Sequence, residues 1–316
     1  MNPAQELYVN LSNETGKVVI GKEESKKIIF ATFLVKGNIL IEGVPGIAKT
    51  LLARVFARAM GLRFSRIQFT PDLMPSDILG SSMYNQGKGA FEFVPGPIFS
   101  DFILADEINR APAKTQAALL ESMEEKQVTI DNSRYDMSEN FMVFATQNPL
   151  EFEGTYTLPE AQLDRFMVRI LFDYPDAEEE LAVLESALEV SGINELLERV
   201  QPPASLPLQI RNARDFVGTV VVDNKILLYI RDLIGASRSL DELLLGNSPR
   251  SGQMLLRLSR AYAALEGSTF VTPDHVRELV PHVLPHRWVI KPEAEIQQTP
   301  VESILRALFD TVKVPE

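Results

Sequence analysis

Over the first half of the chain, short apolar runs alternate with stretches of helical period, the pattern of a mostly parallel sheet covered on both faces. The runs Asn38–Glu42, Phe64–Gln68, Phe102–Ala105, Phe141–Ala145 and Val168–Phe172 are strand-length and read as five strands. Between them, Thr50–Met60, Lys114–Glu125 and Pro159–Arg165 carry helical spacing. After Asp173-Tyr174-Pro175-Asp176 the alternation stops. Asp176 is placed to cap a helix whose first turn holds Glu178, Glu179 and Glu180, a favourable match to the helix dipole. From there the text is almost wholly helical, with breaks near Gln201–Pro207 and at Thr272-Pro273. The expected fold class is α/β over residues 1–175, followed by an all-helical unit over 176–316.

Two stretches interrupt the first unit. Thr70–Pro97 is too long for an ordinary connection. It holds Gly80, Gly87, Gly89 and Gly96, with Tyr84, Phe91 and Phe93 suited to a small hairpin. Gln127–Asp136 has β-type residues around Asp131-Asn132, a natural two-residue turn, and reads as a second hairpin within an insertion at about 127–137.

Composition narrows the function. At 316 residues and 45% apolar, the chain can build a sizeable core. It has no cysteine, which excludes disulfides and thiol catalysis and fits a cytoplasmic location. The start, MNPAQELYVN, lacks the basic and apolar regions of a secretory signal, and no run reaches membrane-spanning length. A net charge of −12 argues against a general nucleic-acid surface.

The chemistry concentrates at three strand ends. Ile39–Glu42 runs into Gly43-Val44-Pro45-Gly46-Ile47-Ala48-Lys49-Thr50-Leu51. Backbone N–H groups and a helix start there form an anion cradle, with Lys49 for terminal phosphates and the Thr50 hydroxyl for Mg²⁺. Ala48 stands where glycine is usual. Phe102–Ala105 ends in Asp106 and Glu107. If the cradle holds MgATP, this strand is expected beside the cradle strand, with Asp106 placed to bind Mg²⁺ and Glu107 to polarise an attacking water. Otherwise they are two acids ending a strand at a solvated loop. Phe144-Ala145-Thr146-Gln147 leads to Asn148, an amide placed to orient the same water, or simply a turn residue ahead of Pro149. Ser248 can cap a helix with Pro249 first, setting Arg250 in a rigid first turn, suited to phosphate or to a local acid. His275, His282 and His286 are close in sequence, but Pro281 and Pro285 break their spacing and no partner completes a metal site. Leu255, Leu256, Leu258 and Trp288 read as core.

Together Gly43–Thr50, Phe102–Glu107 and Phe144–Asn148 resemble the Walker A, Walker B and sensor 1 elements of AAA+ ATPases. The run from Glu107 to Gln116 with Leu120–Glu125, Thr146–Pro149, Leu158–Phe166 and Ser248-Pro249-Arg250 resembles the MoxR family specifically, in which Ala48 is common. The likeness spans about Val19 to Trp288. It implies an αβα sandwich on a five-stranded sheet, a helical lid, and a ring, commonly hexameric, with ATP and Mg²⁺ at subunit interfaces. It implies that the two insertions are the helix-2 insert and the pre-sensor-1 hairpin. By motif position Arg165 matches the arginine finger, Arg250 matches sensor 2, and Val19, Ile20 and Gly21 match the adenine-pocket segment. The resemblance also implies a protein client and an association with partners containing von Willebrand A domains.

The leading expectation is a MgATP-hydrolysing ring that remodels protein clients. Glu107 activates water, Lys49 and Arg250 neutralise phosphate charge, Thr50 and Asp106 hold Mg²⁺, Asn148 positions water and Arg165 completes the neighbour's site. Arg110 is a further interface candidate, or a solvated loop residue. The alternatives are a DNA motor, disfavoured because the second hairpin carries Arg134 against Asp131 and Asp136, and an ATP-gated adaptor with little hydrolysis. A small-molecule kinase lacks an acceptor motif.

Overall fold

A computed structural model describes residues 1–44, 49–148, 155–189 and 192–315. The chain opens with two helices absent from the strand-and-helix reading above, α1 (Pro3–Gly16) and α2 (Glu23–Leu34). Asn2 caps the first, accepting a hydrogen bond from the Gln5 N–H at 2.8 Å, with Pro3 in the first turn. There follow β1 (Ile39–Gly43), α3 (Lys49–Ala59), β2 (Phe64–Gln68), α4 (Pro75–Leu79), β3 (Gly80–Asn85) and β4 (Ala90–Pro95). Next come β5 (Phe102–Asp106), α5 (Ala113–Glu125), β6 (Gln127–Ile130), β7 (Ser133–Asp136), β8 (Met142–Gln147), α6 (Glu160–Leu163) and β9 (Val168–Phe172). The remainder comprises α7 (Ala177–Glu189), α8 (Ile193–Glu198), α9 (Leu206–Thr219), α10 (Asn224–Ser237) and β10 (Leu243–Leu245). It closes with α11 (Pro249–Leu265), α12 (Pro273–Val283), β11 (Val289–Ile290), α13 (Pro292–Ile296) and α14 (Val301–Thr311).

The five strands anticipated from apolar runs form one parallel sheet in the order β2-β5-β8-β1-β9. One expectation is corrected. β5, with its two acids, does not lie beside β1, because β8 pairs with both and separates them. The chain first runs outward to β2, then steps back through β5 and β8. Each crossover needs a helix packed on a face, and that requirement, rather than strand composition, sets the order.

Both faces are buried, as all-parallel sheets require. On one, Phe56 of α3 stacks into Phe102 and Phe144, with ring centroids 5.4 and 5.9 Å away. On the other, Leu119, Leu120 and Met123 of α5 cover Leu40, Ile103 and Val143. α1 packs against α9 and α11, and α2 against α11. The first face therefore continues without a break through Ile28 and Phe33 into Leu255, Leu258 and Leu279. Leu255 and Leu258 are fully buried and Leu256 is half-buried. Trp288 packs in the same region, its Nε1 donating to Asn247 Oδ1 at 2.6 Å. Among the described residues, the region after Phe172 is mainly helical, with a short antiparallel pair of β10 and β11 and an isolated bridge between Val221 and Phe270.

Both insertions form hairpins. β6 and β7 join through Asp131 and Asn132, with φ of 49° and 63°, the left-handed pair that a tight turn demands. β3 and β4 pair beside them. Gly80 has φ of 94°, and a Cβ there would strike the Val94 carbonyl, so only glycine closes this hairpin's base. The two hairpins touch through Phe93 and Tyr135, 4.3 Å between ring centroids, and through the Ser82 hydroxyl and Asp131. Among the described residues no helix is long and apolar enough to cross a membrane.

Candidate functional site

In a parallel sheet the carboxyl strand ends gather on one edge, and there β1, β5 and β8 deliver the residues singled out from sequence. Gly43 ends β1, and Val44 follows it. Pro45, Gly46, Ile47 and Ala48 lie outside the described residues. Lys49 begins α3, and its Nζ donates to the Gly43 carbonyl at 2.6 Å, which ties the start of α3 to the end of β1. Thr50 and Leu51 share that first turn, half-buried.

Asp106 ends β5 with its side chain only 12% exposed. Its Oδ1 accepts a hydrogen bond from the Thr146 hydroxyl at 2.6 Å. The same hydroxyl accepts the Glu107 backbone N–H at 2.9 Å. One threonine on β8 thereby fixes both acids. Glu107 adopts a left-handed backbone, φ 56° and ψ 51°, a sparsely populated conformation for a residue with a side chain. It turns the chain sharply off the strand. Its Oε2 accepts from Gln68 Nε2 at 2.8 Å and from Arg110 NH1 at 3.0 Å. Arg110, an interface candidate on sequence, is thus an ion-pair partner of the carboxylate three residues earlier. Asn148 follows β8 and is buried at this edge.

Val19, Ile20 and Gly21 connect α1 to α2, with Val19 buried. Gly21 has φ of 67°, and a Cβ there would collide with the Glu179 carboxylate in the first turn of α7. Lys22 adds an ion pair to Glu179 at 3.7 Å. Asp176 caps that helix as expected, accepting the N–H groups of Glu178 and Glu179 at 3.0 and 2.8 Å.

The two remaining arginines stand elsewhere. Arg165 precedes β9, and Arg250 lies in the first turn of α11. Both point at one carboxylate, Glu124 near the end of α5: Arg165 NH2 is 3.4 Å from its Oε2 and Arg250 NH1 is 2.9 Å from its Oε1. Arg250 also approaches Asp164 at 3.6 Å, and the buried Arg287 holds the same Asp164 at 2.8 Å. α5 runs back from the carboxyl end of β5, and Lys126 beyond it reaches the Phe141 carbonyl ahead of β8. This cluster therefore lies at the amino edge of the sheet. Arg250 thus makes its ion pairs with Glu124 and Asp164, at the opposite edge of the sheet from Lys49. Ser248 occupies the cap position of α11 but its hydroxyl makes no capping bond.

The three histidines diverge. His275 caps α12 with Thr272 and meets Glu266 at 2.8 Å, while His282 lies 3.6 Å from Glu24. His286 is buried, with Nε2 3.2 Å from the Phe166 carbonyl. In the second hairpin Arg134 pairs with Asp136 at 3.0 Å.

Sequence reading missed Arg66, Gln68, Thr146 as a bridge, and Glu124. Arg66 and Gln68 had a detectable signal, since both are polar positions on the same face of a strand, aligned with Leu104 and Asp106. Glu124 had none, because its partners are distant in sequence.

The donor set at the carboxyl edge suits a magnesium-bound triphosphate. Asp106 and Thr50 offer hard oxygen ligands, and Lys49 with the start of α3 offers positive charge.

Comparison with known proteins gives a consistent picture. Residues 38–168 match the family model of the ATPase family associated with various cellular activities (AAA), and residues 235–308 match the AAA lid domain. The chain is 43% identical over 302 residues to YeaC, an uncharacterized protein of Bacillus subtilis, covering 95% of this chain and 92% of that one. It is 39% identical over 319 residues to chaperone MoxR1 of Mycobacterium tuberculosis, covering 96% and 81%. It is 31% identical to protein MoxR of Paracoccus denitrificans, covering 94% and 93%. A crystal structure of a candidate ATPase from Cytophaga hutchinsonii superposes with a TM-score of 0.90 at 39% identity, covering 99% of this chain and 96% of that one.

Proposed function

The chain belongs to the MoxR family of AAA ATPases, and on that premise we propose that it hydrolyses MgATP only where a second copy completes the site. One observation carries this. Lys49, Asp106 and Glu107 share the carboxyl edge of the sheet, whereas Arg165 and Arg250 share Glu124 at the amino edge. A strand of five residues separates the edges by about 16 Å, beyond the reach of an arginine side chain. On this reading the two arginines serve the site of a neighbouring copy rather than their own. A ring is the closed arrangement in which every copy gives its arginines and receives another's.

Within that site each residue has a separable task. Lys49 and the start of α3 bind the phosphate tail, and Thr50 and Asp106 hold the metal. Mg²⁺ held there would supply charge neutralisation for the phosphates. Glu107 accepts a proton from the attacking water, held toward the site by its left-handed backbone and the Thr146 hydroxyl. Asn148 orients that water. Val19, Ile20 and Gly21 line the base pocket against the start of α7, so base binding is coupled to the helical region. The partner's Arg165 and Arg250 stabilise charge on the transferring group.

The output we propose is remodelling of protein clients. It is supported by the relative named a chaperone and by the hairpin of β3 and β4, which leaves Met83 60% and Phe91 73% exposed.

Mixing two inactive variants tests the divided site. Lys49→Ala keeps its arginines, and Arg165→Ala keeps its cradle. Random assembly pairs an intact cradle with an intact arginine at about a quarter of interfaces, so mixing should restore roughly that share of turnover. Mixtures as inactive as either parent would overturn the reading.

A further inference from the structure

Asp106 is already engaged by a cation. Arg66, on the neighbouring strand β2, reaches across and donates to its Oδ2 twice, from Nε at 3.1 Å and from NH2 at 2.6 Å. With Thr146 on Oδ1, both carboxylate oxygens carry strong donors. Parallel pairing sets Arg66 opposite Leu104, two residues before Asp106 and on the same face, so the side chain runs diagonally along the strands. Gln68 steadies it by accepting from NH2 at 2.7 Å. Yet the Arg66 side chain is 49% exposed, against 12% for Asp106.

That asymmetry matters for a metal. Thr146 takes Oδ1, and Arg66 takes Oδ2, the remaining oxygen. A guanidinium and a divalent cation cannot share one carboxylate oxygen without mutual repulsion, and Mg²⁺ demands a near-octahedral shell of oxygens that the guanidinium would invade. The half-exposed Arg66 guanidinium is re-solvated as it leaves, which lowers the cost of displacing it.

We propose that Arg66 is a displaceable counter-ion of Asp106: it keeps the carboxylate aimed, yields its oxygen when Mg²⁺ arrives, and so sets the metal concentration at which the site fills. This rests on the reading of Asp106 as a metal ligand. It assigns Arg66 a role in metal affinity rather than in transfer chemistry, and it requires the positive charge, not the length, of the side chain.

The probe is Mn²⁺, titrated into protein with ADP and followed by the electron paramagnetic resonance signal of free Mn²⁺. Arg66→Gln should bind Mn²⁺ roughly three- to tenfold more tightly than the parent, because an opposing charge has gone. Arg66→Lys, which keeps the charge, should stay within about twofold of the parent. Unchanged or weaker Mn²⁺ binding by Arg66→Gln overturns the proposal, the weaker case making Arg66 a support for the carboxylate instead. A Lys variant that tightens as much as the Gln variant overturns it too. Asp106→Asn separates this from the reading beneath it. If Asp106→Asn loses Mn²⁺ while Arg66→Gln is unchanged, only the counter-ion role fails. If Asp106→Asn binds Mn²⁺ like the parent, Asp106 is no ligand and both fail.

Discussion

Arg250 NH1 lies 2.9 Å from Glu124 Oε1, an ion pair between residues 126 positions apart that docks the first turn of α11 on the end of α5. The contact holds the lid arginine at the amino edge of the sheet, beside Arg165 rather than Lys49. Arg250→Ala should therefore behave as Arg165→Ala does. Both should bind ATP with parental affinity, and both should lose turnover, by about 10³–10⁵ for the finger. Fluorescent-nucleotide binding and phosphate release measure the two quantities. A large loss of nucleotide affinity in isolated Arg250→Ala subunits would return this residue to its own subunit's cradle.

Glu107 is held by three groups: the Thr146 hydroxyl at its backbone, Gln68 and Arg110 at its carboxylate. Replacing the carboxylate by an amide keeps the shape and removes the base. Glu107→Gln should retain ATP and lose turnover by about 10²–10⁴. Co-elution of unhydrolysed ATP with the variant is the readout, and parental turnover would remove Glu107 from its role.

Thr146→Val is nearly isosteric but deletes the one hydroxyl that serves both acids. The Glu107 N–H and Asp106 Oδ1 each lose a partner. The cost should be about 1–3 kcal/mol in unfolding free energy, with turnover falling as the acids lose their fixed geometry. Urea unfolding gives the first number. A change below about 0.5 kcal/mol would show that water replaces the hydroxyl at this edge.

His286 gives a pH signature. Burial, reinforced by Arg287 and Arg169, holds its imidazole well below the usual value of 6.5. The folded state therefore refuses a proton that the unfolded chain accepts. Stability from this residue is complete above pH 6.5 and declines as pH falls below it, by at most about 1.4 kcal/mol per pH unit. Urea midpoints at pH 7.5, 6.5 and 5.5 should fall more steeply for the parent than for His286→Gln, since other groups titrate alike in both. Parallel slopes would mean that His286 is protonated in the fold.

Strand positions, the two hairpins, the helix capped by Asp176 and the three residue groups at the carboxyl edge were all legible in the chain. Each depends on residues within about ten positions of one another, where apolar period, turn chemistry and caps act. The Asp131-Asn132 turn is a clear case, because its left-handed pair is a local property. The N-terminal helices were less legible: α1 buries Leu7 and Leu11, but only through packing against α9 and α11.

By itself the amino-acid sequence determined the strands, the hairpin turns and the edge of each strand from which its polar residues leave, because strand direction and side-chain alternation are local. Tertiary structure alone decided who faces whom: β8 between β1 and β5, Arg66 on Asp106, and Arg250 with Arg165 on Glu124. Those pairings join residues up to 126 positions apart. Strand order and helix docking are settled by burying both faces of one sheet at once, a condition on the whole chain that no short window contains.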